Sequence, residues 1–436
     1  MKLALPAKLL QALTPWRNAP AWHVAFSGGL DSTVLLHLLA SLANTPPLRA
    51  VHVHHGLQTA ADTWPGHCQR VCDGLNVPLR VMRVQVQPGA SVEQAARAAR
   101  YQAFAETTGA GEVLFTGQHR DDQAETLLFR LLRGTGVRGL AAIPAHRALA
   151  QGHLVRPLLD ISRAELETYA REHHLKWIED PSNADPRFSR NYLRHRVFPV
   201  LAQRWPQVVP SLARTAEHLG EAQGLLDELA AMDLQGADQP SLVPWLPLPS
   251  LALAPLRELS DARQRNALRH WLAPLTRLPD SNHWAGWYCL RDARDDAQPV
   301  WRLTDGDLHR SGERIWWLPS MWTEFCDASV SWPDPQKTLE LPGNGQLKLI
   351  GQAPEGPLQV RYRQGGEIVE VPGRGRRDLK RLLNERGLPG FVRGRLPLLY
   401  RGEQLLAVPT LAGLWASAPD DWQLHWMPQT CDQGLS

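Results

Sequence analysis

Cysteine is scarce in this chain: five among 436 residues, at positions 68, 72, 289, 326 and 431. An odd and sparse set excludes a disulfide framework and the small secreted scaffolds that depend on one. Cys68 and Cys72 are spaced C-x-x-x-C, not the C-x-x-C of common zinc and iron–sulfur sites, so both are expected to be buried or simply reduced thiols. No run of about 18 apolar residues exists to span a bilayer. The opening "MKLALPAKLLQALTPW" is interrupted by Pro6 and Lys8 and has no small-residue cleavage site, which argues against a signal peptide. Internal repeats and low-complexity tracts are missing too. What is left is 43% hydrophobic and 21% charged, the composition of an ordinary globular protein. The expectation is a soluble, cytoplasmic chain of two or three domains.

Charge is small overall and unevenly placed. The net is +3, yet residues 371–401 hold nine Arg or Lys against Asp378 and Glu385, which makes that segment +7 and the remainder −4. A second run, "RFSRNYLRHRVFPVLAQR" (187–204), has five arginines and no acid. Segregated positive charge points to a polyanion such as nucleic acid.

Residues 21–180 alternate in the βαβ manner. Strands are expected at 22–26, 49–55, 79–86, 112–117 and 153–159, with helices at 31–43, 91–107 and 122–133, the last closed by Gly134. Ser91-x-x-Gln94 reads as a capping box for the second of these helices. This predicts a parallel sheet covered on both faces, with ligands beyond the strand C-termini, where Ser27, His54, Gly117 and Arg156 fall. The proline-rich 241–256 reads as a connection, and a helix is expected from 256 to 272. Short strands (359–363, 398–400, 404–408) and a basic helix around 378–385 are expected near the C-terminus. Domain boundaries are expected near 205 and 335, giving units 1–205, 206–335 and 336–436.

"AFSGGLDSTVLLHLL" (25–39) places a Ser-Gly-Gly turn between a strand and a helix, the arrangement that holds phosphate on helix N-terminal amides. The lysine of the Walker loop is missing. Its role is at the β- and γ-phosphates; a cradle without it suits cleavage between α and β, with pyrophosphate leaving. Asp31 is a candidate Mg²⁺ ligand, offsetting its own repulsion of phosphate. The sequence S-G-G-x-D-S in this context resembles the PP-loop of the ATP pyrophosphatase superfamily. In such proteins an amine or sulfur donor displaces an adenylate. Lys2 follows Met1, so no N-terminal amidotransferase cysteine is present, and paired C-x-x-C cysteines for sulfur transfer are absent. A free amine remains.

"TGQHRDDQAETLLFRLLRGTGVRGLAAIP" (116–144) resembles the hallmark of the tRNA(Ile)-lysidine synthetase family. So do "HVHHGLQ" (52–58), "ARAARYQAF" (96–104), "RPLL" (156–159), "DPSNADPRFSRNYLRHRVFPVL" (180–201) and the C-terminal 371–408. The resemblance implies an α/β fold: a doubly wound parallel PP-loop sheet, a mainly helical middle domain and a small α+β C-terminal domain. It implies adenylation of the wobble cytidine of a CAU-anticodon isoleucine tRNA by ATP with Mg²⁺, followed by attack of free L-lysine through its ε-amine. No membrane partner is expected, and a dimer is one of the oligomeric states left open. A PP-loop tRNA thiolation enzyme and a non-catalytic tRNA-binding relative are the alternatives.

By the same resemblance, Ser27, Gly28, Gly29, Leu30, Asp31, Ser32, His54 and His119 are expected at the nucleotide, with Asp31 also at the metal. Asp122 and Glu125, at i and i+3 on one helix face, are expected to receive the lysine ammonium and serve as base. Arg190 and Arg194 of R-N-x-x-R are expected to offset charge or grip the substrate. Arg133, Arg374, Arg376, Arg377, Lys380 and Arg381 are expected on tRNA phosphates. The chain departs from the family at Gln118, where a histidine usually precedes His119, so only His119 carries over.

Overall fold

Alternating apolar strands and amphipathic helices close on themselves only as a sheet with two covered faces, and the first 225 residues do this. The structure, a computed structural model, describes residues 5–429 apart from 57–58, 87–91, 242, 280–282, 295–296, 325–326, 372–374 and 410–421. The chain divides into two compact units, the break falling between Leu225 and Leu226.

In the first unit, α1 (Leu5–Leu13) precedes β1 (Trp22–Ala25), α2 (Leu30–Ala40), β2 (Leu48–His54), α3 (Trp64–Leu75), β3 (Leu79–Arg83), α4 (Val92–Thr107) and β4 (Val113–Phe115). Next come α5 (Arg120–Leu131), α6 (Val137–Leu140), β5 (His146–Leu149), β6 (Gly152–Val155) and α7 (Arg163–Glu172). The sheet order is β3-β2-β1-β4-β6-β5. Every neighbouring pair is parallel except β5–β6, an antiparallel hairpin at the edge that the sequence pattern did not reveal. The five expected strands are all present; β2 keeps its expected length one residue earlier, and the other four are shorter than expected. Ser91, the expected cap of α4, lies outside the described residues.

Side chains alternate between two cores, as the two-residue strand period demands. Trp22, Val24, Ala50, Val113, Phe115 and Val155 pack with α2, α3 and α7, while Val51, Leu114 and Leu154 pack with Phe104 and Tyr101 of α4. Chain order runs outward from β1 to β3 and returns to β4 beside β1. The crevice for a ligand therefore opens between the C-terminal ends of β1 and β4.

Beyond α7, α8 (Ser189–Tyr192) runs into a π-helical turn, Leu193–Val197, and then α9 (Phe198–Arg204). A single π turn shifts the side chains after it around the axis and is frequent at functional sites. The long α10 (Val208–Gln235) follows.

The second unit opens with the last turns of α10 and continues with β7 (Ser250–Ala252), α11 (Leu253–Arg257), α12 (Asp261–Leu272) and α13 (Ala285–Asp292), so the proline-rich connection ends in a strand and a short helix. Then come β8 (Val300–Arg302), β9 (Gly306–Ser311) and β10 (Arg314–Pro319). The middle region thus joins its helices to an antiparallel sheet, β7-β10-β9-β8, that was not expected; Trp287, Trp301 and Trp317 fill the core between them. Further on lie α14 (Ser320–Thr323), β11 (Val330–Trp332), β12 (Leu339–Leu341), β13 (Gly345–Gly351), β14 (Leu358–Arg361), β15 (Ile368–Val371) and β16 (Gly375–Asp378). The chain then forms α15 (Leu379–Glu385), α16 (Gly390–Arg393), β17 (Leu398–Arg401), β18 (Gln404–Ala407) and β19 (Trp422–Met427). The expected strands at 359–363, 398–400 and 404–408 correspond to β14, β17 and β18, which with β11 make one antiparallel sheet; β12, β13 and β19 make another.

Candidate active site

The Ser-Gly-Gly turn leaves β1 and enters α2 at the crevice. Gly28 has φ +83, a conformation open to glycine at no steric cost. A Cβ there would lie 2.8 Å from Ile178 Cδ1 and 3.0 Å from Cys68 Sγ, and the Gly28 carbonyl accepts the Ile178 amide at 2.8 Å. Gly29 caps α2 in extended conformation, and its carbonyl accepts Thr33 N–H at 3.0 Å and Ser32 Oγ–H at 3.0 Å. The amides of Leu30, Asp31 and Ser32 have no acceptor within the helix and face the site with the positive end of the helix dipole. Ser27 Oγ lies 3.0 Å from Ser32 Oγ. From the other side Gly117 presses its bare backbone on this turn: a Cβ there would be 3.1 Å from Asp31 C and 3.2 Å from Ser32 N.

His119 follows two residues later and is 1% exposed. It is the N-cap of α5: Nδ1 accepts the Asp122 amide at 3.4 Å, and Asp122 Oδ2 accepts the His119 amide at 3.1 Å. An accepting Nδ1 puts the ring proton on Nε2. That atom stands 3.6 Å from Asp31 Oδ1 and 3.6 Å from Asp122 Oδ2. Burial raises the Asp31 pKa, opposed by His119 and assisted by the charge of Asp122. The sequence pattern began this helix at Asp122; its true start at Arg120 makes the histidine a cap.

One turn on, Glu125 is 3% exposed. Arg194, on the π-helical turn, grips it with Nε to Oε1 at 2.7 Å and Nη2 to Oε2 at 2.9 Å, and reaches Asp122 Oδ1 at 3.5 Å. Burial pushes the Glu125 pKa up, and the Arg194 hydrogen bonds only partly offset it. For Arg194 burial works against the charge, but the Glu125 bond and the nearby carboxylates outweigh it and hold the guanidinium above its usual range. Arg190 is exposed and donates to Thr126 Oγ1 at 3.2 Å. Asn191 is buried and ties down the 182–185 turn through Ser182 O and Asp185 O.

Asp31, His119, Asp122, Glu125 and Arg194 thus converge beside the glycine turn. His54 ends β2 with Nε2 3.1 Å from Asp62 Oδ1. Arg133 is exposed just past α5, its guanidinium 5.2 Å from the Phe129 ring. In the second unit Arg376, Arg377, Lys380 and Arg381 are exposed on β16 and α15, whereas Arg374 lies outside the described residues. Gln118 accepts a hydrogen bond from Thr116 Oγ1, leaving His119 to do the capping alone. Sequence reasoning missed the cap, the part played by Gln123, which anchors Ile143 through both its amide atoms, and a group of arginines about Tyr101.

Mg²⁺ makes specific demands of these atoms. Among the described residues no three side chains gather as a preformed metal cage. Asp31 Oδ1 is buried without a hydrogen-bond partner, next to a second carboxylate. One or two carboxylates completed by substrate phosphates and water is the usual Mg²⁺ donor set, so the residues fit.

A phosphate cradle without lysine, at the switch point of a parallel sheet and faced by carboxylates, defines a PP-loop protein of the ATP pyrophosphatase class. Family models agree: a PP-loop domain matches residues 1–201, a TilS substrate binding domain 251–316 and a TilS substrate C-terminal domain 358–426. The tRNA(Ile)-lysidine synthase of Pseudomonas fluorescens (strain Pf0-1) is 65% identical over 99% of this chain and 98% of its own. That of Pseudomonas aeruginosa is 62% identical over 99% of both, and that of Escherichia coli O157:H7 is 43% identical over 88% of this chain and 90% of its own. The chain belongs to the tRNA(Ile)-lysidine synthase family. The thiolation alternative is not favoured.

Proposed function

We propose that this protein joins L-lysine to carbon 2 of the wobble cytidine of a CAU-anticodon isoleucine tRNA. The observation that carries the reading is the Asp31–His119–Asp122–Glu125–Arg194 cluster set directly against the glycine turn. The first amides of α2 and three carboxylates, Glu125 buried and Asp31 and Asp122 partly so, lie together at the crevice.

Two displacements complete the reaction. The cytidine O2 attacks the α-phosphorus of ATP, and the bond to pyrophosphate breaks. The lysine ε-nitrogen then attacks C2, and the C2–O2 bond breaks as AMP departs with the former O2. A lysine nitrogen must shed protons to be nucleophilic, and Glu125 and Asp122 lie where an ammonium could be held and deprotonated. In this structure Arg194 already occupies that position with its own cation. Its release toward the developing phosphate charge would open the carboxylates to the substrate ammonium. Ser27, Ser32 and the first amides of α2 hold phosphate oxygens, and the buried His119 ring stands beside Asp31, with Nε2 3.6 Å from Oδ1. Mg²⁺ bound at Asp31 would neutralise phosphate charge.

Arg133 and the exposed cations of β16 and α15 serve the tRNA backbone. Functionally this assigns ATP and amine chemistry to 1–205, and tRNA binding to 206–335 and 336–436. The test is mass spectrometry of the tRNA after incubation with ATP and lysine. A gain of one lysine less one water on the cytidine, with AMP and pyrophosphate formed, is expected. A sulfur-dependent product, or ADP, overturns the reading.

A further inference from the structure

On the face of the sheet opposite α2, three arginines surround one tyrosine and a fourth stands at the rim. The Arg97 guanidinium lies 4.9 Å and that of Arg147 4.8 Å from the Tyr101 ring centroid, and Arg97 Nη2 is 3.3 Å from the hydroxyl. Arg156, at the C-terminal end of β6, also acts on that hydroxyl and is only 5% exposed. Its Nη1 donates to Pro144 O at 2.7 Å, while its buried Nε has no partner. Arg100 stands at the rim with Nε 3.3 Å from His55 Nε2.

Among the described residues none of these four arginines makes an ion pair with a carboxylate. Burial and the neighbouring arginines lower the Arg100 and Arg156 pKa values, opposed only by Tyr101, as for cations with no carboxylate beside them among the described residues. Burial alone would raise the Tyr101 pKa, but Arg97, Arg156 and Arg147 reverse the shift. The His55 imidazole, half-buried and beside Arg100, is pushed down to about 4 and adds no charge at neutral pH. Such a cluster is stabilised by an anion, and guanidinium forks suit phosphate oxygens.

The position selects among anions. The phosphates of ATP have their cradle at α2, on the other face of the sheet. From Arg97 the cationic field continues through Arg130 to Arg190, and so to Thr126, the neighbour of Glu125 on α5. A polyanion laid along that line would bring a nucleotide to the carboxylate cluster.

We propose that Arg97, Arg147 and Arg156, gathered around Tyr101, form a binding site for a phosphodiester group of the RNA substrate. The site holds the strand on the α4 face while its reacting nucleotide enters the crevice. This rests on the RNA-modifying reading above. Arg97 and Arg147 are exposed, so Arg97→Gln and Arg147→Gln leave the core intact, and their double variant is the test. With one phosphate no longer neutralised, the slope of log Kd for tRNA against log salt should fall by about 0.7–0.9. The KM for tRNA should rise with the KM for ATP unchanged, and the Arg97→Lys, Arg147→Lys variant should recover most of the loss. An unchanged slope and KM for tRNA overturn the proposal, as does a rise confined to the KM for ATP, which would make the anion the nucleotide's. Wild-type enzyme run alongside separates the two readings: if it forms no lysidine, the function is wrong; if it does and the variant matches it, only this site is wrong.

Discussion

The Arg194 guanidinium closes on the Glu125 carboxylate with two hydrogen bonds, 2.7 and 2.9 Å long, across 69 residues of sequence. A planar fork meeting a carboxylate in this way fixes both groups, and here it fixes α5 to the π-helical turn.

Removing either partner should therefore have two separable effects. Arg194→Gln leaves a carboxylate that is 3% exposed without its cation and should destabilise the first unit by on the order of 3–5 kcal/mol. Glu125→Gln keeps the shape but loses charge toward the ammonium. Its KM for lysine should rise by about tenfold or more, the equivalent of a charged hydrogen bond of roughly 1.5–3 kcal/mol. The KM for ATP should stay near wild type. Steady-state kinetics in each substrate, with thermal melts of both variants, check this; an unmoved lysine KM returns Glu125 to a purely structural role.

Asp31 offers a pH test. Its folded pKa is raised above 3.8, first by burial, so its protonated form is favoured in the fold. The stability this group contributes is complete below pH 3.8 and is lost as pH rises through the folded value. Asp31→Asn does not titrate. Its stability relative to wild type should thus improve from acid toward neutral pH while adenylation collapses. Denaturant melts at a series of pH values, beside pyrophosphate release, give both readouts, and a gap that closes in the opposite direction refutes the assignment.

The C-terminal cations fall into two kinds. Arg376, Arg377, Lys380 and Arg381 are exposed; changing all four to Ala should weaken tRNA binding and flatten its salt dependence by about 0.7–0.9 for every phosphate no longer neutralised. Arg395 is 2% exposed, its Nε bonded to Asn344 Oδ1 at 3.1 Å, its Nη1 to Trp322 O at 2.7 Å, and its charge over the Trp322 ring. Arg395→Gln should cost stability, about 1–3 kcal/mol, by orphaning those acceptors. Filter binding at several salt concentrations and calorimetry should place the two sets apart.

Thiol chemistry should be silent at the site. Burial pushes Cys68 up to about 12 and Cys72 to about 11, so neither offers thiolate near neutral pH. Cys289 is exposed. A thiol reagent at pH 8 should modify Cys289 in the native protein and reach Cys68 and Cys72 only after unfolding. Peptide mapping by mass spectrometry shows which occurs; early labelling of Cys68 would mean that the Gly28 turn opens readily.

Much of this protein is determined locally. Strand, glycine turn and helix at 22–40 follow from short-range preferences, as do the amphipathic α5 and the βαβ alternation, because each needs only neighbours in the chain. The carboxylates of α5 and the arginines of R-N-x-x-R were legible as chemistry for the same reason. Their pairing was not. That Arg194 would meet Glu125 depends on a π turn and on packing across 69 residues, and no periodicity encodes it. The antiparallel β5 escaped because "HRAL" is short and three of its four residues are exposed, so it carries no apolar signal. The arginines around Tyr101 likewise meet only after α4, β5 and β6 have packed together, because Arg97, Arg147 and Arg156 stand on or just past those three elements. Of nine cations in 371–401, the sequence weighs all alike. Only the fold decides that Arg395 is sealed among carbonyls while Arg376 and Arg377 face solvent, because burial is a property of the packed whole.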